Sequence, residues 1–429
     1  MTTTPLLPPI LTTMAPRDHS GPVANPPEIN TPQLADIRRT NLSSVLRAIQ
    51  RQRQLTRNEL IASTGLSRVT VLELVNELQA LGVVEEQITR HGTNGRPAGR
   101  LVLDQSRLAV GAAEINLGEI AFRLGTLDGE ELGSKRIKLG RRRRDPAAVI
   151  DALTQAIAEG MGSNAAGGRR LVHLAVGCLA IVARGAGRIL RSTALGWGEE
   201  QIAAALSERL GPAVAVSVDR LANIALHAER SLDRWSPDAG VVMLYGDVGI
   251  GGAYQSHSDV LYGDSGLGAN FGHLTVEYDG RPCYCGRRGC LETYVGVGPL
   301  ANVLDQTPDR AVTGPAVPRT KTLNAVRRGD PTVVRALLDQ GRWLARAIEQ
   351  IVVAFDPAVV VLGGALAEFA PLMMPSREAE AARLNNQSHF ASLAIVEPSQ
   401  LSQDAILRGG IVTAIDAVVR EPWRLQPVN

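Results

Sequence analysis

Three of the four cysteines in this chain, Cys283, Cys285 and Cys290, fall close together, and His273 stands ten residues before the first of them. Three thiolates and an imidazole are the soft and borderline donors that close a tetrahedral Zn2+ site. Four protein ligands leave no position for a reacting water, so such a zinc is structural. Gly280, Gly286 and Gly289 supply the tight backbone that donors so near in sequence require. A disulfide knot is the competing reading, but three cysteines cannot all pair among themselves and nothing else suggests export.

A second group of residues with chemical potential lies near the N-terminus. Leu42, Val45, Leu46 and Ile49 recur at three and four residues, giving one apolar stripe on a first helix that starts around Asn41 and ends near Gln52. Thr56 and Glu59 form a T-x-x-E capping box for a short second helix reaching about Ser63. Gly65 suits a left-handed break, and Ser67 caps a third helix whose Val71, Leu74, Val75 and Leu78 share one face. Two short helices across a glycine turn, with another packed behind, make a helix-turn-helix. With its apolar face committed, the third helix turns Arg68, Val69, Thr70, Leu72 and Glu73 outward. Ser67, Arg68 and Thr70 then sit at the end that meets bases and phosphates, with Arg57 at the start of the preceding helix.

Residues 83–88 and 101–103 read as the strands of a hairpin wing, with Gly95-Arg96-Pro97 at its tip. An extended arginine beside proline can enter a narrow minor groove; a solvated turn is the alternative. Residues 36–103 hold ten arginines and no lysine against six acidic residues, on a chain of net charge +2. That balance is compatible with double-stranded DNA as a partner at this end. Lysine is scarce throughout, with only Lys135, Lys138 and Lys321, so part of the bias is compositional. The four-arginine run at 141–144 reads as a solvated loop.

These groups need a scaffold, and 429 residues with 45% hydrophobic content can bury more than one core. Aromatics make up only 3%, so the cores are aliphatic. No apolar run has the length to span a bilayer, and Pro5, Pro8 and Pro9 break the one apolar patch at the N-terminus. A cytoplasmic protein with no membrane partner is expected. Residues 1–33, with eight prolines and almost no apolar period, read as a disordered tail.

Beyond Asp104 strands and helices alternate, an α/β order. Strands are expected at 108–115, 120–127, 134–139, 171–178, 213–218, from Val241, and at 358–362. Helices are expected from Asp145-Pro146 to about 160, at 199–209, from Arg220, across 323–355, and from Asp404. Cys178, in an apolar strand, reads as a small core residue.

GH followed nine residues later by CYCGRRGCLE resembles the zinc signature of the ROK family, which groups bacterial transcriptional repressors with sugar kinases on an actin-like ATPase fold. GLSRVTV in the third helix, GRPA in the wing, Val248-Gly249-Ile250-Gly251-Gly252, Asp356-Pro357 and Gly363-Gly364 extend the resemblance over nearly the whole chain past the tail. The resemblance implies a winged helix-turn-helix at 36–103. It also implies a two-lobed, ribonuclease H-like ROK domain at 107–420, with the zinc loop at 272–292. By it His273, Cys283, Cys285 and Cys290 hold the zinc, while Glu292, His273 and the position of Asn270 line the sugar pocket.

The chain departs from the kinase pattern in three places. Where kinase members carry Asn-Asp-Ala-Asn, with the Asp as base, it reads Arg220-Leu221-Ala222-Asn223. A leucine cannot accept a proton. The family's Ala-Gly-Glu before the zinc histidine is Gly268-Ala269-Asn270, and the nucleotide loop Asp-x-Gly-Gly-Thr is Glu114-Ile115-Asn116-Leu117-Gly118, where Leu117 crowds a phosphate.

The expected protein is therefore a DNA-binding regulator, a repressor by resemblance, acting as a homodimer or dimer of dimers on an operator. A sugar or sugar derivative is its expected effector, and kinase activity is not expected. Arg220 and Asn270 suit an anionic or altered ligand, unless the pocket has simply collapsed. A sugar kinase with an appended DNA-binding domain is the alternative, and Leu221 separates the two.

Overall fold

The computed structural model describes residues 34–89, 98–139, 145–185, 187–247, 249–257, 259–304, 319–374, 394–401 and 404–427. The proline-rich tail, the wing tip with Arg96, the arginine run and Val248 lie outside the described residues.

Helix α1 (Leu34–Gln52) buries Leu42, Val45, Leu46 and Ile49, the stripe its spacing dictates. It begins seven residues before Asn41, because its first two turns are wholly exposed and carry no apolar period. The capping box of Thr56 and Glu59 starts α2 (Arg57–Thr64), which ends at Gly65 with φ 68°. Ser67 caps α3 (Arg68–Ala80) by accepting from the Thr70 amide, and Val71, Leu74, Val75 and Leu78 are its buried face. Strands β1 (Val84–Thr89) and β2 (Ala98–Leu103), where the wing is expected, pair antiparallel. Leu55 and Leu101 exchange backbone hydrogen bonds at 3.1 and 2.7 Å, which ties the α1–α2 connection to β2.

The rest of the chain builds two five-stranded sheets of the same plan. In the first, β3 (Leu108–Asn116), β4 (Glu119–Gly125) and β5 (Glu131–Lys138) form an antiparallel meander. Strands β6 (Arg170–Cys178) and β9 (Ala215–Arg220) then add parallel to β3, giving the order β5-β4-β3-β6-β9. Helices α4 (Pro146–Met161) and α5 (Ile202–Leu210) cover this sheet, and a small hairpin of β7 (Ile181–Val182) and β8 (Ile189–Arg191) lies between them in sequence.

The second sheet repeats the order as β12-β11-β10-β13-β14, from β10 (Val241–Gly246), β11 (Ile250–Ser256), β12 (Asp259–Val260), β13 (Val359–Gly364) and β14 (Ile395–Pro398). Helix α6 (Leu221–Arg230) joins the two halves. Helices α7 (Val297–Leu304), α8 (Arg319–Arg327), α9 (Pro331–Phe355) and α10 (Ala365–Met373) surround the second core. A twofold repeat of a meander with two added parallel strands is the two-lobed architecture expected.

The closing helix α11 (Ala405–Arg420) packs against α6, β3 and β6. Two glycines permit this. A Cβ on Gly409 would lie 2.0 Å from the Ile224 carbonyl oxygen, and one on Gly410 2.6 Å from the Ala112 Cβ. The far side of α11 meets α1, so that Leu42, Val45, Leu46 and Ile49 share one core with Leu407, Ile411, Ile415 and Val418. Ser43 Oγ donates to the Val419 carbonyl at 2.9 Å, and the Arg39 guanidinium lies 5.8 Å from the Trp423 ring. The N-terminal unit is therefore docked on the body through a hydrophobic core.

Candidate functional site

The cysteine loop folds back on itself through two short backbone bridges, Thr275 to Cys290 and Pro282 to Arg288. Within it the Cys283 amide donates to the Arg287 carbonyl at 2.9 Å and the Gly286 amide to the Cys283 carbonyl at 3.1 Å, a tight knuckle. Gly289 has φ 73°, and a Cβ there would lie 1.7 Å from the Glu277 carbonyl oxygen, so only glycine closes the loop. His273 arrives on the 3-10 turn Phe271–His273, whose start at Asn270 accepts from the His273 amide at 3.1 Å.

The result brings one donor atom from each of His273, Cys283, Cys285 and Cys290 within 4.8 Å of the others. Cys285 and Cys290 Sγ are 3.6 Å apart, and Cys283 Sγ is 3.7 Å from His273 Nδ1. Bond lengths of about 2.0–2.3 Å give a tetrahedral zinc ligand–ligand edges of roughly 3.3–3.8 Å. The four residues fit that ion.

Glu292 is buried beside this cluster. Its Oε1 is 3.0 Å from both His273 Nδ1 and Cys283 Sγ, and Tyr284 donates its hydroxyl to Oε2 at 3.2 Å. A Cβ on Gly249 would stand 2.8 Å from that same Oε2, so the glycine is what leaves the carboxylate room. Metal loop and glycine loop thus meet at one buried acid.

Across from them lies the first turn of α6. Leu221 is buried, packed beside Gly177, and offers no proton acceptor. Arg220 is also buried. Its Nη1 donates to the Gly268 carbonyl at 2.7 Å and its Nη2 to Asn223 Oδ1 at 3.1 Å. Asp219 completes the set, accepting from Asn223 at 2.7 Å and from the Tyr262 hydroxyl at 2.6 Å. Burial pushes the Arg220 guanidinium below its ordinary pKa, opposed by Asp219. Burial and Asp219 push the Tyr262 phenol up, so it remains a donor. Arg220 is therefore taken up by the protein's own carbonyl and amide, and half-buried Asn270 starts the turn beside it.

The position of the nucleotide loop is occupied by an acidic group. Asn116 Nδ2 bridges Glu114 Oε1 at 3.0 Å and Asp247 Oδ2 at 2.9 Å, joining the two lobes. Arg136 reaches Glu119 at 3.0 Å and Glu114 at 3.5 Å. Burial pushes the Glu114 carboxyl up, with Asn116 and Arg136 opposing. A phosphate entering here would meet Glu114 and Asp247, and Leu117 stands half-buried next to them.

In the N-terminal unit Ser67 and Arg68 are exposed and Thr70 is partly so, at the open end of α3. The Ser67 and Thr70 hydroxyls bond one another at 2.8 Å. Arg57, expected among the DNA-contacting residues, has its guanidinium bonded to Glu86 of β1 and its side chain two-thirds buried. The capping box sets α2 so that its first residue faces β1.

A profile of the ROK family matches residues 111–417, most of the chain. The chain belongs to the ROK family. It is 23% identical over 394 residues to the DNA-binding transcriptional repressor Mlc of Escherichia coli, covering 87% of this chain and 96% of that one. To the glucokinase of Streptomyces coelicolor it is 27% identical over 289 residues, 65% of this chain and 87% of the kinase. The crystal structure of a ROK family transcriptional regulator, a homolog of the Escherichia coli protein, superposes with a TM-score of 0.73 at 20% identity. That match spans 91% of this chain and 98% of the other.

Two features of this ROK chain escape a reading of its motifs. Asn116 and Asp247 are 131 residues apart and meet only because the lobes close on each other. Arg220 and Gly268 are 48 apart and meet through the same closure. The acidic start of the glycine loop at Asp247 was the one signal available for the first pair.

Proposed function

We propose that this ROK protein is a DNA-binding transcriptional regulator, acting as a repressor, and that it does not phosphorylate sugars. The observation that carries the reading is the unit of three helices and the β1–β2 pair, docked through α1 onto α11 with the capped end of α3 left open to solvent. Relatives named as repressors align over that unit as well as the body, which supports the same reading.

In this reading residues 36–103 bind the operator and residues 107–420 form the ROK domain. Ser67, Arg68, Thr70 and Arg96 contact DNA, while Arg57 acts by holding the wing against α2. His273, Cys283, Cys285 and Cys290 hold a structural zinc, whose part is to fix the loop that positions Glu292 and Asn270. Those two residues and His273 border the effector pocket, where a sugar or sugar derivative binds. A homodimer in the cytoplasm presents two wings to two half-sites.

Three placements support the absence of kinase chemistry. Leu221 stands at the base position, Arg220 is bonded across the cleft, and Leu117 with the Asn116 bridge fills the nucleotide-loop position. The test is a gel shift at moderate salt with wild type and the Arg68→Ala/Arg96→Ala double variant, beside ADP release over a panel of hexoses. Retention lost in the variant and no sugar-dependent ADP release are expected. Sustained ADP release would overturn the reading in favour of a kinase.

A further inference from the structure

The exposed face of α3 is unusual for a surface meant to read DNA through hydrogen bonds. Arg68 is the one basic residue in the helix, and the hydroxyls of Ser67 and Thr70 are already paired with each other. The next exposed side chains are Val69 and Leu72, 67% and 47% exposed. They stand three residues apart, hence on one face, followed on that face by Glu73 and Asn76. Glu73 and Glu77 are engaged with Arg38 of α1 at 3.9 and 2.6 Å.

The apolar feature a base pair shows in the major groove is the thymine C5-methyl. We propose that Val69 and Leu72 are specificity residues that pack on thymine methyl groups, with Arg68 anchoring the helix end. This rests on the DNA-binding reading above. The excess of arginine over acidic residues in this unit fits a polyanion as the occupant of the face. Two aliphatic side chains following a single arginine then give a preference for thymine steps.

The test uses the full-length protein and a duplex selected by it from a random-sequence library. The duplex is prepared once with thymine and once with uracil throughout, which removes the methyl and keeps the O4 acceptor. Each buried methyl is worth about fourfold in affinity. With one or two methyls packed in each of the two half-sites, wild type should bind the thymine duplex about 16- to 256-fold tighter. The Val69→Ala/Leu72→Ala variant should bring that ratio to within about twofold, while Arg68→Ala weakens both duplexes and keeps the ratio. A wild-type ratio near one, or an unchanged ratio in the aliphatic double variant, overturns the proposal. If the face packs on a second copy instead, the double variant changes the oligomeric state and leaves the ratio alone. Enrichment of no duplex at all would sink the DNA-binding reading itself.

Discussion

Arg220 Nη1 lies 2.7 Å from the carbonyl oxygen of Gly268, a part-buried bond that fastens the start of α6 to the loop leading into His273. Removing it leaves that carbonyl and buried Asn223 without their charged donor. Arg220→Ala should therefore destabilise the protein by about 2–4 kcal/mol in urea unfolding. A change below about 0.5 kcal/mol would mean the contact is dispensable.

Leu221→Asp places a carboxylate at the kinase base position, yet it should not create a kinase. Leu117 and the Asn116 bridge between Glu114 and Asp247 still fill the nucleotide-loop position. Hexose-dependent ADP release should stay at background, and measurable turnover would show that the base alone was missing.

Zinc removal is expected to loosen the loop 272–292. Cys285→Ser should lower bound zinc from about one per chain to near zero, and the melting temperature by about 5 °C or more. Because α3 is remote in sequence and built from its own caps, operator binding of the isolated variant should weaken less than its effector response. Full zinc content in Cys285→Ser, by elemental analysis, would contradict the assignment of this ligand.

The core shared by α1 and α11 predicts coupled unfolding of the DNA-binding unit and the body. Ile49→Ala and Ile411→Ala should each cost about 2–4 kcal/mol. Calorimetry of the wild type should not show an early, separate transition for residues 34–103. Such a transition, unaffected by Ile411→Ala, would refute the coupling.

His173 supplies a pH dependence. Burial pushes its pKa down to about 4, and its Nε2 is 3.0 Å from Ser217 Oγ. An unfolded histidine titrates near 6.5, so between these values the unfolded chain binds the extra proton. Stability is then full above about pH 6.5 and falls by about 3 kcal/mol as pH drops toward 4. His173→Asn should flatten that part of the profile in denaturant titrations at several pH values.

Local chemistry made much of this legible beforehand. Ser67 and the Thr56–Glu59 box announce themselves by residue type and spacing, and the structure caps both helices with them; His273, Cys283, Cys285 and Cys290 likewise come together as one cluster. Strand ends drifted: the strand expected at 213–218 runs Ala215–Arg220, because Asp219 and Arg220 keep pairing with Gly177 and Cys178. The early start of α1 was invisible because nothing in its first turns is buried. Arg220 read as a candidate for an anionic ligand, and only the folded cleft reveals Gly268 as its partner. The acidic bridge through Asn116 was likewise hidden, since sequence separation carries no record of lobe closure. The partner of Arg57, Glu86, was hidden for the same reason, since β1 brings it across 29 residues.

The central claim meets its most direct test in selection of fragments from the source genome by the purified full-length protein. The account predicts enrichment of a small set of duplexes bearing two half-sites related by a twofold axis, with binding lost in Arg68→Ala/Arg96→Ala. Retention of fragments without sequence preference, unchanged by that double substitution, would contradict it.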